Sequence, residues 1–93
     1  MEVKVHNNTI TIKGNITTIA DAEQIINILH SINDKDIIII KILESFALPS
    51  SIIGELLKLH DMGKKIVLEV RDPVLYELID DLNLTKTFSV KRI

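Results

Sequence analysis

The chain of 93 residues has no cysteine and no tryptophan, and its aromatic residues are one tyrosine and two phenylalanines. The absence of cysteine excludes disulfides and thiolate metal sites. The scarcity of aromatic side chains argues against stacking platforms for nucleic-acid bases. Positive charge is not concentrated either, because the net charge is -2 and the two signs are interspersed apart from a weakly basic end at Lys91-Arg92. We therefore do not expect nucleic acid as a partner.

Long hydrophobic runs are also missing. The longest apolar run, Ile37-Ile38-Ile39-Ile40, ends at Lys41, whereas a transmembrane helix needs about 20 such residues. The first residues show no basic leader followed by an apolar segment, so no signal peptide is predicted. We expect a cytoplasmic protein that does not insert directly into a membrane.

Motifs of common enzyme sites are absent. The three glycines are isolated from one another and no Gly-Lys-Ser or Gly-Lys-Thr follows any of them, so there is no phosphate cradle. No Gly-x-Ser-x-Gly elbow occurs, and the three histidines lack the His-x-x-x-His spacing of a metal site. His30 and His60 fall near the ends of predicted helices, where they would complement the helix dipole. We predict no catalytic residue, no metal and no cofactor, and therefore not an enzyme.

Five segments are predicted as strands from their apolar and β-branched residues: 2–6, 9–14, 36–42, 65–70 and 87–90. The first two alternate apolar with polar residues and are joined by Asn7-Asn8, which predicts a hairpin because asparagine tolerates left-handed backbone angles. The third segment does not alternate, which is typical of a central strand covered on both faces.

Three helices are predicted between these strands: residues 19–32, Ser50 to Leu59, and Pro73 to Asn83. Thr17 or Thr18 can cap the first helix with Asp21 in its first turn, and Asp72-Pro73 is a strong start for the third. Gly63 follows the second helix, where a residue with positive φ commonly ends a helix. The predicted inward-facing residues are Ile53, Leu56, Leu57 and His60 on the second helix, and Val74, Leu75, Leu78, Ile79 and Leu82 on the third.

The element order ββαβαβαβ predicts an α/β fold with a single mixed β-sheet, as one domain over residues 1–93. The opening hairpin supplies an antiparallel part. The alternating strands and helices supply a parallel part with right-handed crossovers.

Ser50 and Ser51 lie between a central strand and the start of the second helix. The carboxyl end of a parallel strand is where α/β proteins usually place their sites. Backbone N–H groups and the dipole of the helix would favour an added phosphate there, and its charge of about -1.5 to -2 could control an interface. Alternatively, one of the two serines simply caps the helix.

The sequence resembles the STAS family, the domain shared by sulphate transporters and anti-sigma factor antagonists. The resemblance covers essentially the whole chain through the order of its elements. It is carried mainly by three stretches: Ser50 to Leu57, Gly63 to Leu68, and Asp72-Pro73-Val74 followed by Leu78 and Leu82-Asn83-Leu84 up to Phe88. They correspond to the family's Asp-Ser-Ser-Gly-Leu signature, of which the two serines are kept, to the glycine before the next strand and to the proline that opens the third helix.

The resemblance implies a regulatory module that works by partner switching. Family members bind a protein, often a serine kinase that also restrains a sigma factor, and phosphorylation of the second signature serine releases it. Ser51 is the matching position, with Ser50 beside it. Other members are constitutive subunits that bind the ATPase of an ABC transport complex without phosphorylation, so that role remains the alternative.

The chain departs from the family pattern at three positions. Pro49 replaces the aspartate before the serines, Ile52 replaces the glycine after them, and Lys41 stands where the family has an acid near the end of the preceding strand. These changes put recognition by a kinase in doubt more than they affect docking of a partner.

The predicted partner surface comprises Phe46, Leu48, Pro49, Ser50, Ser51, Ile52 and Glu55. Ile52 either faces outward as an apolar anchor or lies beneath the preceding loop. In the first case, an aspartate at position 52 would remove binding and leave the fold intact. A small-molecule sensor that uses a pocket at the strand ends is a further alternative, and the sequence leaves the oligomeric state open.

Overall fold

The computed structural model describes all 93 residues. Its elements are β1 (Glu2–His6), β2 (Thr9–Lys13), α1 (Ile19–Ser31), β3 (Ile37–Ile42), α2 (Ser50–Asp61), β4 (Lys65–Val70), α3 (Pro73–Asp81) and β5 (Lys91–Arg92). The order ββαβαβαβ and the mixed α/β sheet predicted from the sequence are confirmed.

The five strands lie in the sheet in the order in which they occur in the chain. β1 is antiparallel to β2, and every later pair is parallel. Each crossover therefore moves one strand further in the same direction. Since such crossovers share one hand, the three helices lie on the same face of the sheet.

The other face of the sheet is open, which corrects the prediction for β3. Ile38, Ile40 and Ile42 are buried, whereas Ile39 and Lys41 between them are only half-buried. β4 shows the same alternation. The expectation that the strand is covered on both faces was wrong, because an uninterrupted run of isoleucine hides the period of two that polar residues would reveal.

The turns and helix ends follow the local chemistry of the sequence. Asn7 has a φ of 57° in the hairpin, and Gly63 and Asn83 follow α2 and α3 with φ values of 90° and 58°. The side chain of Asp72 accepts hydrogen bonds from the backbone N–H groups of Val74 and Leu75 at 2.8 and 3.1 Å. These predicted boundaries are confirmed.

Twenty buried apolar residues form one core between the sheet and the helices. The helices contribute Ala22, Ile25 and Leu29 from α1, Ile52, Leu56 and Leu59 from α2, and Leu75 and Ile79 from α3. The buried stripe of α2 therefore begins at Ile52 rather than at the predicted Ile53. His60, which was also predicted to face inward, is exposed. Helices that contact a sheet on one side bury only a narrow stripe.

The outer residues of α3 correct a second prediction. Val74, Leu78 and Leu82 are 62%, 41% and 48% exposed, although their spacing placed them among the inward-facing residues. α3 packs against β4, and β5 beyond it has only two residues. The sheet beneath α3 is therefore too narrow to cover a wide apolar stripe.

The predicted last strand at 87–90 was also wrong. Residues 84–90 form turns, in which the N–H of Phe88 donates to the carbonyl of Leu84 and that of Val90 to Thr85, at 3.0 and 2.8 Å. Phe88 is completely buried. Its alternation with polar neighbours resembles a strand, but the aromatic ring fills the core from a turn. The Phe88 carbonyl accepts from the Leu68 N–H of β4 at 3.0 Å, and the parallel register with β4 begins at Lys91.

None of the three helices has the length and apolar character needed to cross a bilayer.

Candidate functional site

The loops that follow β2 and β3 meet at the carboxyl edge of the parallel strands, where α1 and α2 begin. Between these two helix starts lies an open groove of about 530 Å³. It is lined by Thr17, Thr18, Ile19, Ala22, Glu23, Ile26, Pro49 and Ser51. We call these eight residues the α1–α2 groove. Its position agrees with the rule that sites of α/β proteins lie beyond the carboxyl ends of the strands.

The wall from α1 is apolar and open to solvent. Ile19 is 79% exposed, Ala22 is buried, and Ile26 is half-buried. They lie one above the other because residues three and four apart share a helix face. Glu23 is the only charged residue that lines the groove. The wall therefore offers an apolar contact surface with a single acid.

Reciprocal hydrogen bonds fix the start of α1. The N–H of Asp21 donates to the Thr18 hydroxyl at 3.0 Å, and the Asp21 carboxylate accepts from the N–H groups of Thr17 and Thr18 at 3.1 and 3.3 Å. This capping box confirms that Thr18 caps the helix. The Thr17 N–H, aided by Thr18, lowers the pKa of the Asp21 carboxyl, while burial partly opposes the shift. The stabilisation from this cap is therefore fully present at pH values above the ordinary aspartate pKa. It is lost as the pH falls through the lowered pKa of Asp21.

The start of α2 has no such cap. Pro49 precedes the helix, and its carbonyl accepts from the N–H groups of Ile52 and Ile53 at 3.0 and 3.2 Å. Ser50 and Ser51 are the first two helical residues, and no side chain caps the helix. The alternative that one serine serves as a cap was therefore wrong, because the helix begins one residue earlier than that role requires. Both serines are exposed.

Ser45 ties together the two loops beside the groove. Its side chain is the only buried polar one, with no exposed surface. The hydroxyl accepts from the N–H of Ile16 at 3.1 Å and from the N–H of Ala47 at 3.2 Å, and it donates to the Ala47 carbonyl at 2.7 Å. A single hydroxyl thus sets the distance between the loop that leads into α1 and the loop that leads into α2.

The predicted partner surface is only partly accessible. Phe46 is 55% exposed, and Pro49 and Ser51 line the groove. Leu48 and Ile52 are 6% and 1% exposed and belong to the core, so the outward placement of Ile52 was wrong. A carboxylate at position 52 would be buried without a partner, and the fold would not tolerate it.

Glu55 also differs from its predicted outward position. Its side chain is 13% exposed, and its carboxylate is hydrogen-bonded to Nε2 of His30 on α1. The Nζ atom of Lys58 lies 3.9 Å from its other oxygen. Glu55 therefore links α1 to α2 rather than facing a partner, and His30 contacts a carboxylate from the neighbouring helix in addition to ending α1. A separation of 25 positions along the chain hides this pair from local sequence reasoning.

Lys41, which replaces the family's acid, lies away from the groove. Lys41 is one of the half-buried residues that β3 places on the open face of the sheet. Its Nζ atom is 3.9 Å from a carboxylate oxygen of Glu69 on the neighbouring strand. Its charge is therefore partly matched on that face.

Sequence reasoning missed the α1 side of the groove. Ile19, Ala22 and Ile26 repeat at spacings of three and four, as the buried residues do. That repeat is a second apolar stripe, and it could have indicated a surface beside the core stripe. No group of three or more histidine, cysteine, aspartate or glutamate side chains is placed to hold a metal ion.

Comparison of the chain with models of protein families, with curated proteins and with solved structures found no match in any of the three.

The Ser45 hydroxyl yields a stability prediction. Ser45→Ala leaves the N–H groups of Ile16 and Ala47 without their acceptor, so we expect a loss of about 1–3 kcal/mol in the free energy of unfolding, measured by urea denaturation. Ser31→Ala is the matched control, since the exposed Ser31 hydroxyl also donates to a backbone carbonyl, at 2.7 Å. The control should change stability by less than about 0.5 kcal/mol. Equal effects of the two substitutions would contradict the role of Ser45.

Proposed function

We propose that this protein is a STAS-like interaction module of the cytoplasm that binds a regulatory protein through the α1–α2 groove, and that it is not an enzyme. The resemblance of its sequence to anti-sigma factor antagonists supports this proposal, as does the element order over the whole chain. The partner class that the resemblance implies is a serine kinase that also restrains a sigma factor.

One observation carries the proposal. Ile19 is 79% exposed on the wall of an apolar groove. Exposed apolar surface next to a concavity is typical of protein–protein contact sites, where a few buried apolar residues carry most of the binding free energy. Phe46, 55% exposed in the loop after β3, adds a second large apolar side chain at the same edge of the sheet.

Ser51 is placed where a phosphate would act on this contact. It lines the groove, lies in the first turn of α2 and is exposed. The dipole of α2 would stabilise a phosphate within the free protein. A partner that covered the groove would have to remove water from that charge, so phosphorylation would favour release.

A docking subunit that is never phosphorylated is the second candidate. Pro49, immediately before α2, stands where the family has an aspartate, no acidic residue lies in the first turn of the helix, and Lys41 is paired with Glu69 on the open face. These features remove the family's charges from the loop without altering the groove. The partner would then be the ATPase of an ABC-type assembly.

Ile19→Asp tests the groove. The side chain is exposed and occupies the first turn of α1, where an aspartate is compatible with the helix dipole, so we expect the fold to be kept. A charge in place of an apolar anchor should weaken partner binding by at least about tenfold. Partners captured from the native cytoplasm would be identified by mass spectrometry, and their affinity for the purified variant measured by calorimetry.

The matched control is Val74→Asp. Like Ile19, Val74 is an exposed β-branched residue near the start of a helix, and it is 62% exposed on α3. It should leave the affinity unchanged. If Val74→Asp removed the partner and Ile19→Asp did not, the contact would lie on the outer stripe of α3 and the proposed groove would be wrong.

Ser51→Glu tests control by phosphate. We expect it to weaken binding by at least about tenfold, whereas Ser50→Glu should have a smaller effect because Ser50 does not line the groove. Both glutamates lie in the first turn of α2, so neither should lower the melting temperature.

The effects of Ser51→Glu and Ser50→Glu on binding separate the two candidate functions. Loss of binding specific to Ser51→Glu, together with phosphate on Ser51 in the native protein, would support partner switching. Full binding by both variants to an ATPase with unmodified serines would contradict switching and support the constitutive subunit.

A further inference from the structure

A second pocket lies at the opposite edge of the sheet, where β4 begins and the chain turns towards β5. It has a volume of about 340 Å³ and is lined by His60, Gly63, Lys64, Lys65, Ile66, Lys86, Thr87 and Ser89. We call it the basic pocket. We propose that the basic pocket binds a small anion with more than one phosphoryl group, of the pyrophosphate class.

The charge of the basic pocket is all of one sign. Three lysines and a histidine line it, and no carboxylate does. Lys64, Lys65 and Lys86 form no salt bridge within the chain, and the fold brings all three into one pocket. Such a concentration stands out in a chain with a net charge of -2. A concave wall of like charges focuses the electrostatic potential and attracts counter-ions.

Three acidic residues lie beside the pocket but do not line it. The Asp36 carbonyl accepts from the Lys65 N–H at 2.8 Å, and the Asp80 carboxylate accepts from the Thr85 hydroxyl at 3.2 Å. The Asp61 carboxylate is 3.8 Å from Nδ1 of His60, but the Asp61 side chain is 83% exposed and is not among the lining residues. None of these acidic residues forms a salt bridge with Lys64, Lys65 or Lys86.

The backbone around the basic pocket is held in place. The last carbonyls of α2 accept from the N–H groups of Met62, Gly63 and Lys64 at 3.0 to 3.1 Å, so the negative end of this helix is occupied rather than directed at a ligand. Ser89 has a φ of 46°, and its N–H donates to the carbonyl of Lys86 at 3.2 Å. The turn that carries Lys86 is therefore closed by its own hydrogen bond.

The lining indicates the class of ligand. Ile66 is its one apolar residue and is 1% exposed, and no phenylalanine, tyrosine or tryptophan lines the pocket. A nucleobase would find little apolar surface and only the His60 ring to stack on, whereas most small-molecule sites provide more. The hydroxyls of Thr87 and Ser89 can donate to phosphate oxygens beside the lysines. Three unmatched lysines suit a ligand with several negative charges better than a single phosphate.

This inference is independent of the proposed function. The basic pocket shares no residue with the α1–α2 groove, and the two lie at opposite edges of the sheet. Failure of one would leave the other unaffected.

The test is titration of the full chain with pyrophosphate and, separately, orthophosphate, by calorimetry at low salt. We expect pyrophosphate to bind more tightly than orthophosphate. The double variant Lys64→Gln/Lys86→Gln should weaken pyrophosphate binding by at least about tenfold. The control Lys4→Gln/Lys13→Gln removes the same charge from exposed positions on β1 and β2, and should keep the wild-type affinity.

Amide chemical shifts of the wild-type protein supply a second readout that needs no variant. Pyrophosphate should shift the signals of residues 60–66 and 86–89. Absence of binding, equal loss in both double variants, or shifts elsewhere would overturn the proposal. Equal affinity for the two anions would overturn the assignment to a ligand with more than one phosphoryl group.

Discussion

The direction of the crossovers is the constraint on which the rest of the structure depends. From β2 to β5 each connection moves one strand further across the sheet in the same sense. Since such connections share one hand, all three helices cover the same face. The carboxyl ends of the parallel strands then lie at one edge, where α1 and α2 start side by side and form the α1–α2 groove. The beginnings of β4 and β5 lie at the other edge, where they frame the basic pocket.

One buried hydroxyl, that of Ser45, joins the two loops beside the groove. These loops lead into the neighbouring helices α1 and α2. On one side the capping box of Thr18 and Asp21 anchors α1. On the other side α2 starts without a side-chain cap, so neither Ser50 nor Ser51 is needed to cap the helix. The groove therefore combines an apolar wall on a capped helix with a rim on which the Ser51 hydroxyl is exposed.

Local patterns in the sequence were sufficient for the element order, the hairpin and the helix ends, because asparagine, glycine, proline and the capping residues act within a few positions. They were insufficient wherever distant residues decide. The run of isoleucine in β3 does not reveal which face is covered, and Phe88 imitates a strand although it fills the core from a turn. Ile52 could not be oriented without the loop above it. The contacts of Ser45 with Ile16 and of Glu55 with His30 each join residues more than twenty positions apart.

We propose that a protein partner covers the α1–α2 groove, and hydrogen–deuterium exchange of the free protein and of its purified complex would locate the contact. Binding should slow exchange in residues 17–26 and 46–51 and leave the outer stripe of α3 and the open face of the sheet unchanged. Protection centred on α3 or on the open face, with no change at the groove, would contradict it.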